Sequence, residues 1–354
     1  MTRQTKPRLS DVAKLAGVSL GTASNVFSYP AKVRPEVRER VHAAAERLHY
    51  LGPDPAARLM RRGKVNAIGI VAPAQFRTAD ALRNPSFQMF MCGVAEVCDE
   101  EGTNVVIIPD PAVSPAINSA LVDAFIFGQV EHLSVARPAE MRKLPFVVVD
   151  FDGGEGVNSV RIDARTGGYL AAKHLLDLGH RRFAVMSFLR TFDPAIYHPP
   201  GPQRDGSIAG MPIDREKMEG YRRAFAEHGL NIDDIPVVQA HPWDKSAAAL
   251  LLHHAPDATA LLSMAAMQGV SLIAEAKRRG RRVPDDLSVV GFNDIPEAQH
   301  SDPPLTVIDA RNAEKGRIAA RMVFNPCQPT AKMLNPSLVV RGSTAPAMLS
   351  NRQS

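Results

Sequence analysis

Between residues 9 and 48 apolar positions recur at helical spacing in three short runs. Val12, Ala13, Leu15 and Ala16 follow Ser10 and Asp11, a helix-start signal, and Gly17 supplies a stop. Ser19 is placed to cap a second helix from Leu20 to about Phe27. Two short helices joined through a Gly-containing turn form a helix-turn-helix. Pro35 opens a third helix at a first-turn position, where its missing N–H costs nothing. Val37, Val41, Ala44, Ala45 and Leu48 give that helix a stripe able to clamp the first two. After Lys64 the pattern changes. Short β-rich runs at 67–71, 105–108, 124–127, 146–149, 183–186, 260–262 and 288–290 alternate with helical stretches at 87–101, 166–178, 218–228, 245–254 and 268–279. Such alternation predicts parallel, doubly wound sheets. Two of these units in one chain place a cleft between them, near the C-terminal strand ends. The expected fold is therefore an all-α helix-turn-helix head followed by an α/β body of two doubly wound parallel-sheet subdomains.

Charge sharpens this division. The net charge of +5 conceals a basic head: residues 1–64 hold 13 Lys/Arg against 5 Asp/Glu, so the rest of the chain is mildly acidic. A basic end on an acidic body points to a polyanion that meets one end only. On periodicity and charge alone, an ordinary helical cap with a solvated surface explains the head as well as nucleic-acid binding does. The three cysteines, Cys92, Cys98 and Cys327, make no disulfide framework or Cys-x-x-Cys pair, which fits a reducing compartment. Residues 1–6 are polar and basic, with no apolar run after them to act as a signal peptide. The least charged stretch, 258–276, is broken by Ser263, Gln268, Gly269, Ser271 and Glu275 and does not read as a membrane span. A cytoplasmic protein with no membrane partner is expected.

The residue strings of the head decide between its two readings. Leu-Ser-Asp-Val-Ala-Lys-Leu-Ala-Gly-Val-Ser at 9–19, Thr22 and Ser24, Val-Arg-Pro-Glu-Val-Arg-Glu-Arg-Val at 33–41 and Leu-His-Tyr at 48–50 closely resemble the head of the lactose/galactose repressor (LacI/GalR) family. The resemblance runs without a gap to Arg58 and Leu59. It implies a helix-turn-helix DNA-binding domain at 7–52 and a hinge helix at 53–63. It also implies that Leu20, Gly21 and Asn25 face base edges in the major groove, while Ser19, Thr22, Ser24, Lys32 and Arg34 hold phosphates. Asn25 stands where the family usually has arginine. Arginine favours the O6/N7 edge of guanine and asparagine the N6/N7 edge of adenine, so a different base is expected there. In the hinge the resemblance assigns Leu59 as an apolar wedge in the minor groove, Ala56 as the small residue between paired hinge helices, and Arg58 as a minor-groove and phosphate contact, with Arg61 and Arg62 adding phosphate contacts.

Strings in the body resemble the same family's sensor domain, which has the fold of periplasmic sugar-binding proteins. They are Asn84-Pro85-Ser86-Phe87, Val-Val-Val-Asp at 147–150, Leu-Gly-His-Arg-Arg at 178–182, Val-Pro-Asp-Asp-Leu-Ser-Val-Val-Gly-Phe-Asn-Asp at 283–294 and Pro-Pro-Leu-Thr at 303–306. An effector-binding and dimerisation domain at 64–354 follows, with one subdomain at 64–162 and 307–327 and the other at 163–306 and 328–345. The implied effector contacts are Asn84, Phe87, Asp150, Lys217, Trp243, Ser263 and Asn293. Asp150 is a carboxylate able to accept two sugar hydroxyls, and Trp243, the one tryptophan, offers a face to a pyranose ring. Three positions depart from the family: Lys217 replaces arginine, Asn293 a carboxylate and Ser263 asparagine. The segment 189–214 is longer than the family's connection and contains five prolines, which makes it a candidate partial lid over the cleft or a disordered loop.

An enzyme is not expected. Gly153-Gly154-Glu155-Gly156 lacks dinucleotide-loop spacing, no P-loop or nucleophile elbow occurs, and neither His253/His254 nor His174/His180 has metal-ligand spacing. No cofactor or metal is expected. A secreted sugar-binding protein conflicts with the head, while a regulator that answers to a protein partner instead of a small ligand stays open. The implied mechanism is a homodimer on pseudo-palindromic operator DNA, repressing by default. A small effector, sugar or related metabolite, changes the angle between subdomains and so the pairing of the hinge helices.

Overall fold

Local signals in the head are realised one by one in the computed structural model of this chain, which describes residues 7–50, 64–73, 77–110, 115–128, 132–189, 191, 193–201, 208, 210–325 and 330–348. Helix α1 (Leu9–Ala16) starts where the Arg8 N–H donates to the Asp11 carboxylate at 2.7 Å, and stops at Gly17 with φ 64°. Helix α2 (Leu20–Ser28) is capped by Ser19, whose Oγ accepts from the Thr22 N–H at 3.1 Å. Helix α3 (Pro35–Arg47) begins on its proline. Val12, Ala13 and Ala16, then Ala23 and Val26, then Val41, Ala44 and Ala45 form the buried centre, one group from each helix. Phe27 closes one side, edge-on to His42 and Tyr50. By its contacts this unit ends at Val65 and the body begins at Asn66.

The body runs β1 (Ala67–Val71), α4 (Thr78–Arg83), α5 (Pro85–Glu100), β2 (Asn104–Ile108), β3 (Ala124–Phe127), α6 (Arg137–Met141), β4 (Phe146–Val149) and β5 (Asn158–Ile162). It continues with α7 (Ala164–Asp177), β6 (Phe183–Phe188), β7 (Ile196–His198), α8 (Pro212–Glu227), β8 (Val237–Ala240), α9 (Ala247–His254), β9 (Ala260–Ser263), α10 (Ala266–Arg278), β10 (Ser288–Phe292) and α11 (Pro296–His300). Last come β11 (Thr306–Asp309), α12 (Asn312–Phe324), β12 (Ala331–Leu334) and β13 (Ser337–Val339). One sheet has the order β12-β5-β4-β3-β1-β2 and is parallel throughout. The other has the order β13-β11-β10-β9-β6-β8-β7, parallel inside with antiparallel strands at both edges. Helices cover the faces of these sheets, so the central strands β1, β3 and β10 are buried at every residue.

The chain changes sheets three times: between β5 and α7, between β11 and α12, and between β12 and β13. The expected subdomain limits at 307 and 328 therefore move. Residues 306–309 pair with β10 in the second sheet (Val290 with Thr306), and residues 331–334 pair with β5 in the first (Ala331 with Ser159). Hydrogen-bonded strand partners, invisible in a linear reading, set both limits. The first lobe is thus 66–162 with α12 and β12, and the second is 163–309 with β13.

In each lobe two helices cross at glycines. A methyl group added at Gly93 of α5 would sit 1.9 Å from the Ala313 carbonyl oxygen, and one at Gly316 of α12 would sit 2.1 Å from that of Phe90. Gly168 of α7 and Gly220 of α8 meet in the same way, each about against the other helix's backbone, with Cβ positions 2.2 Å from the carbonyl oxygens of Lys217 and Arg165. Only a hydrogen side chain allows such an approach.

Candidate functional site

On α2 the polar and apolar faces separate cleanly. Ala23 and Val26 point into the head's core, while Leu20, Gly21 and Asn25 are exposed on the opposite face. At about 100° per residue the three exposed positions fall within an arc of about 140°. Leu20 is 54% exposed, an unusual position for a large apolar side chain in so small a unit. Ser19 is exposed beside Leu20, and its Oγ lies 2.9 Å from Thr22 Oγ1, so the two hydroxyls share one proton direction. Ser24 is half-buried. Lys32 and Arg34 are exposed in the turn before α3, with Lys32 Nζ 5.1 Å from the Tyr29 ring centre. First-turn amides of α2 lack partners within the helix, which with Lys32 and Arg34 makes an anion-attracting edge beside an apolar and amide-bearing face. Ala56, Arg58 and Leu59 lie outside the described residues.

In the body two small cavities lie between the lobes. The first, about 60 Å³, is walled by Met211, Trp243, Met264 and Met267 and includes Lys217, Asp214 and Asn293. The second, about 40 Å³, is walled by Phe87, Phe90, Asp150, Asn312 and Lys315. Asn84 and Ser86, at the start of α5, border both. Small-ligand sites commonly span several hundred Å³, so a bound metabolite must part the lobes or shift side chains.

The charges in this cleft are paired. Lys315 Nζ lies 2.6 Å from Asp150 Oδ2, with both side chains 3% exposed. Asp150 Oδ1 also accepts from the Ile162 N–H at 3.3 Å. Lys217 Nζ donates to Asp214 Oδ1 at 3.0 Å and to the Met264 carbonyl at 3.1 Å, and it sits 4.5 Å above the Phe292 ring. Asn312 Nδ2 donates to Asn293 Oδ1 at 3.1 Å, joining α12 of the first lobe to the end of β10 in the second. Asp150, Asn293 and Arg311 all have positive φ, at 53°, 79° and 51°. Backbone conformations of this kind gather where structure serves a site more than stability. Trp243 is half-buried, with its ring 5.1 Å from that of His241, and burial holds the His241 imidazole below its usual pKa.

Residues 8–52 match the family described as bacterial regulatory proteins, lacI family, and residues 172–344 match the periplasmic binding protein-like domain. An HTH-type transcriptional regulator of Mycolicibacterium smegmatis is 31% identical over 340 residues, covering 90% of this chain and 91% of that protein. The chain belongs to the lacI family. A further relative at 31% identity is the HTH-type transcriptional regulator DegA of Bacillus subtilis, matched over 96% of this chain and 99% of its own length. Among solved structures, a transcriptional regulator CelR–cellobiose complex is similar with a TM-score of 0.66 at 26% identity, over 95% of this chain and 99% of that one. A lac repressor dimer bound to operator and an anti-inducer has a TM-score of 0.75 at 21% identity, over 96% and 100%. This lacI-family chain is a DNA-binding transcription regulator and not an enzyme.

Within this lacI-family regulator the structure brings most of the expected cleft residues together. Asn84, Lys217, Trp243 and Asn293 border the first cavity and Phe87 and Asp150 the second. Asn84 is also committed to capping α5, its Oδ1 accepting from the Ser86 N–H at 3.0 Å. Ser263 does not reach the cavity: it is 1% exposed and its Oγ donates to the Val290 carbonyl at 3.2 Å, inside the sheet. Serine is too short to extend past the strand edge as asparagine would. Lys315, Asn312 and Asp214 were not foreseen. Lys315 and Asn312 lie on a helix absent from the sequence reading, and Lys217-to-Asp214 spacing of three within a helix was the available sign for the third. The segment 189–214 splits: Ile196–His198 adds an edge strand to the second sheet, whereas Met211 and Ile213 at its end line the first cavity. Its described part is therefore sheet edge at 196–198 and cavity wall at Met211 and Ile213. No helix among the described residues is long and apolar enough to cross a membrane.

Proposed function

We propose that this regulator binds double-stranded operator DNA as a homodimer in the cytoplasm, represses by default, and releases or tightens its operator when a small sugar-like effector enters the cleft. The head supplies Leu20, Gly21 and Asn25 for base edges and Ser19, Thr22, Ser24, Lys32 and Arg34 for phosphates, with Arg58 and Leu59 of the hinge meeting the minor groove and Ala56 the small residue between paired hinge helices. The effector meets Asn84, Phe87, Asp150, Lys217, Trp243 and Asn293. The observation that carries this reading is the Asn312–Asn293 hydrogen bond, which joins two cavity-lining residues of lobes linked by three crossovers. A ligand seated there contacts both lobes at once and changes their angle. The similar CelR–cellobiose complex supports a carbohydrate, and the lac repressor dimer on operator supports the assembly. Coupling is reciprocal, so operator must alter effector affinity by the factor by which effector alters operator affinity. Operator selection from random duplexes, with and without a panel of sugars, nucleosides and polyols, tests the proposal: a preferred pseudo-palindrome whose occupancy one compound changes is expected. A second reading has its own support, because the cleft's charged groups are satisfied internally. If no compound of the panel shifts melting temperature or operator occupancy, a protein partner takes the effector's place.

A further inference from the structure

Three large apolar side chains of the head are exposed among the described residues: Leu15 on α1, Leu20 on α2 and Tyr29 just beyond the end of α2. Tyr29 has the Lys32 ammonium 5.1 Å from its ring centre. Leu20 is the most exposed of the three and stands at the first position of α2, beside the first-turn amides and outside the head's apolar centre. Burying an isobutyl group is favourable, so this side chain on a DNA-binding surface calls for an apolar target. Nothing beside it fences that target off. Gly21 has no side chain, and the atom nearest the place of a Cβ there is Ser19 Oγ, at 3.8 Å. An isobutyl group neither donates nor accepts a hydrogen bond, so it is blind to the donor and acceptor pattern that separates base pairs in the major groove. That groove offers it one apolar group, the C5-methyl of thymine. Asn25 lies about 7.5 Å further along the helix and about 140° round it, so its amide and the Leu20 side chain meet different base pairs.

We infer that Leu20 reads the pyrimidine C5-methyl group itself, so that operator affinity answers to C5 methylation of the base it meets. This rests on the reading that α2 lies in the major groove. Thymine and 5-methylcytosine carry the methyl at the same ring position, whereas uracil and cytosine carry hydrogen there. A cytosine at this step is therefore recognised in its methylated form. The full-length protein is titrated by fluorescence anisotropy against the duplex that operator selection returns. Variant duplexes replace thymine at one symmetric pair of positions at a time, either with uracil or, opposite guanine, with cytosine or 5-methylcytosine. Burying one methyl is worth about fourfold in affinity, so its loss from both half-sites costs about fifteenfold. One pair of positions is expected to show that loss with uracil, and there 5-methylcytosine binds more tightly than cytosine by a similar factor. Leu20→Ala abolishes both differences, while Leu20→Met, still apolar and long, keeps them. Neither variant disturbs folding, because Leu20 is outside the apolar centre. Equal affinity for thymine and uracil duplexes at every position, or a methyl preference that Leu20→Ala leaves intact, overturns this inference and leaves the operator reading standing. A selection that returns no preferred duplex removes both.

Discussion

Replacing Lys315 with methionine keeps the length of the side chain and removes its charge. In the parent its ammonium lies 2.6 Å from Asp150, and both side chains are 3% exposed. The carboxylate is left with the Ile162 N–H at 3.3 Å as its hydrogen bond among the described residues. Breaking a buried pair from one side costs about 3–5 kcal/mol, because the surviving charge stays out of water without compensation. Total stability of a domain is about 5–15 kcal/mol, so the loss is large. With a urea m-value of about 2–3 kcal/mol/M, the midpoint followed by circular dichroism drops by about 1–2 M. Asp150→Asn removes the other charge while suiting the positive φ of 53° at that position, since asparagine tolerates the left-handed region. The double variant Asp150→Asn/Lys315→Met therefore lies nearer the parent than Lys315→Met alone. A Lys315→Met midpoint within about 0.3 M of the parent, or a double variant as destabilised as the sum of the single ones, refutes the account of a buried, mutually dependent pair.

Other perturbations test other parts of the molecule. Gly93→Ala places a methyl 1.9 Å from a backbone oxygen and lowers stability by about 1–3 kcal/mol or more, whereas Gly210→Ala, with open space around it, is neutral by thermal melting. Asn25→Arg moves the preferred base at its operator position from adenine to guanine in a binding-site selection; an unchanged preference shows that Asn25 does not read a base. Lys32→Ala weakens binding to all duplexes alike and reduces the salt slope by about one unit, measured by titration at several salt concentrations. Burial lowers the pKa of His174, His180 and His241, so below about pH 6.5 the unfolded chain binds more protons than the folded one. Their contribution is complete above that pH and is lost as pH falls toward the depressed folded values. Glu216, raised by burial, works in the opposite sense, so the comparison is made with a variant. The fall in melting temperature from about pH 7.5 to about pH 5.5 is smaller in His180→Gln than in the parent.

The sequence reveals elements where local chemistry is strong. Ser19 as cap, Gly17 as stop and Pro35 as first-turn residue mark the head's helices, because each satisfies or avoids a backbone group at a known place. Buried central strands such as Ala67–Val71 read as continuous apolar runs. The strands that escaped are short or carry polar residues, among them Asn158–Ile162 and the exposed edge strand Ala331–Leu334. Missing the latter, and α12 before it, displaced the limits expected at 307 and 328 and hid Lys315. Asp150 was legible as a cleft carboxylate, but its ion pair links positions 165 apart in the chain, and nothing local announces that. Ser263 failed for a geometric reason, since its hydroxyl is spent on a neighbouring strand.

Each helix that follows a crossover, α7 after β5 and α12 after β11, is seated by backbone-to-backbone glycine contacts on a helix of its own lobe. Such seats leave no side-chain layer to yield when load arrives. Bending is then confined to the few residues of the crossovers, and each lobe behaves as a stiff lever arm. A displacement of a few tenths of an ångström at the cleft is magnified in proportion to distance from the pivot. Sensitivity to the effector is thus written into hydrogen-sized side chains that never touch it.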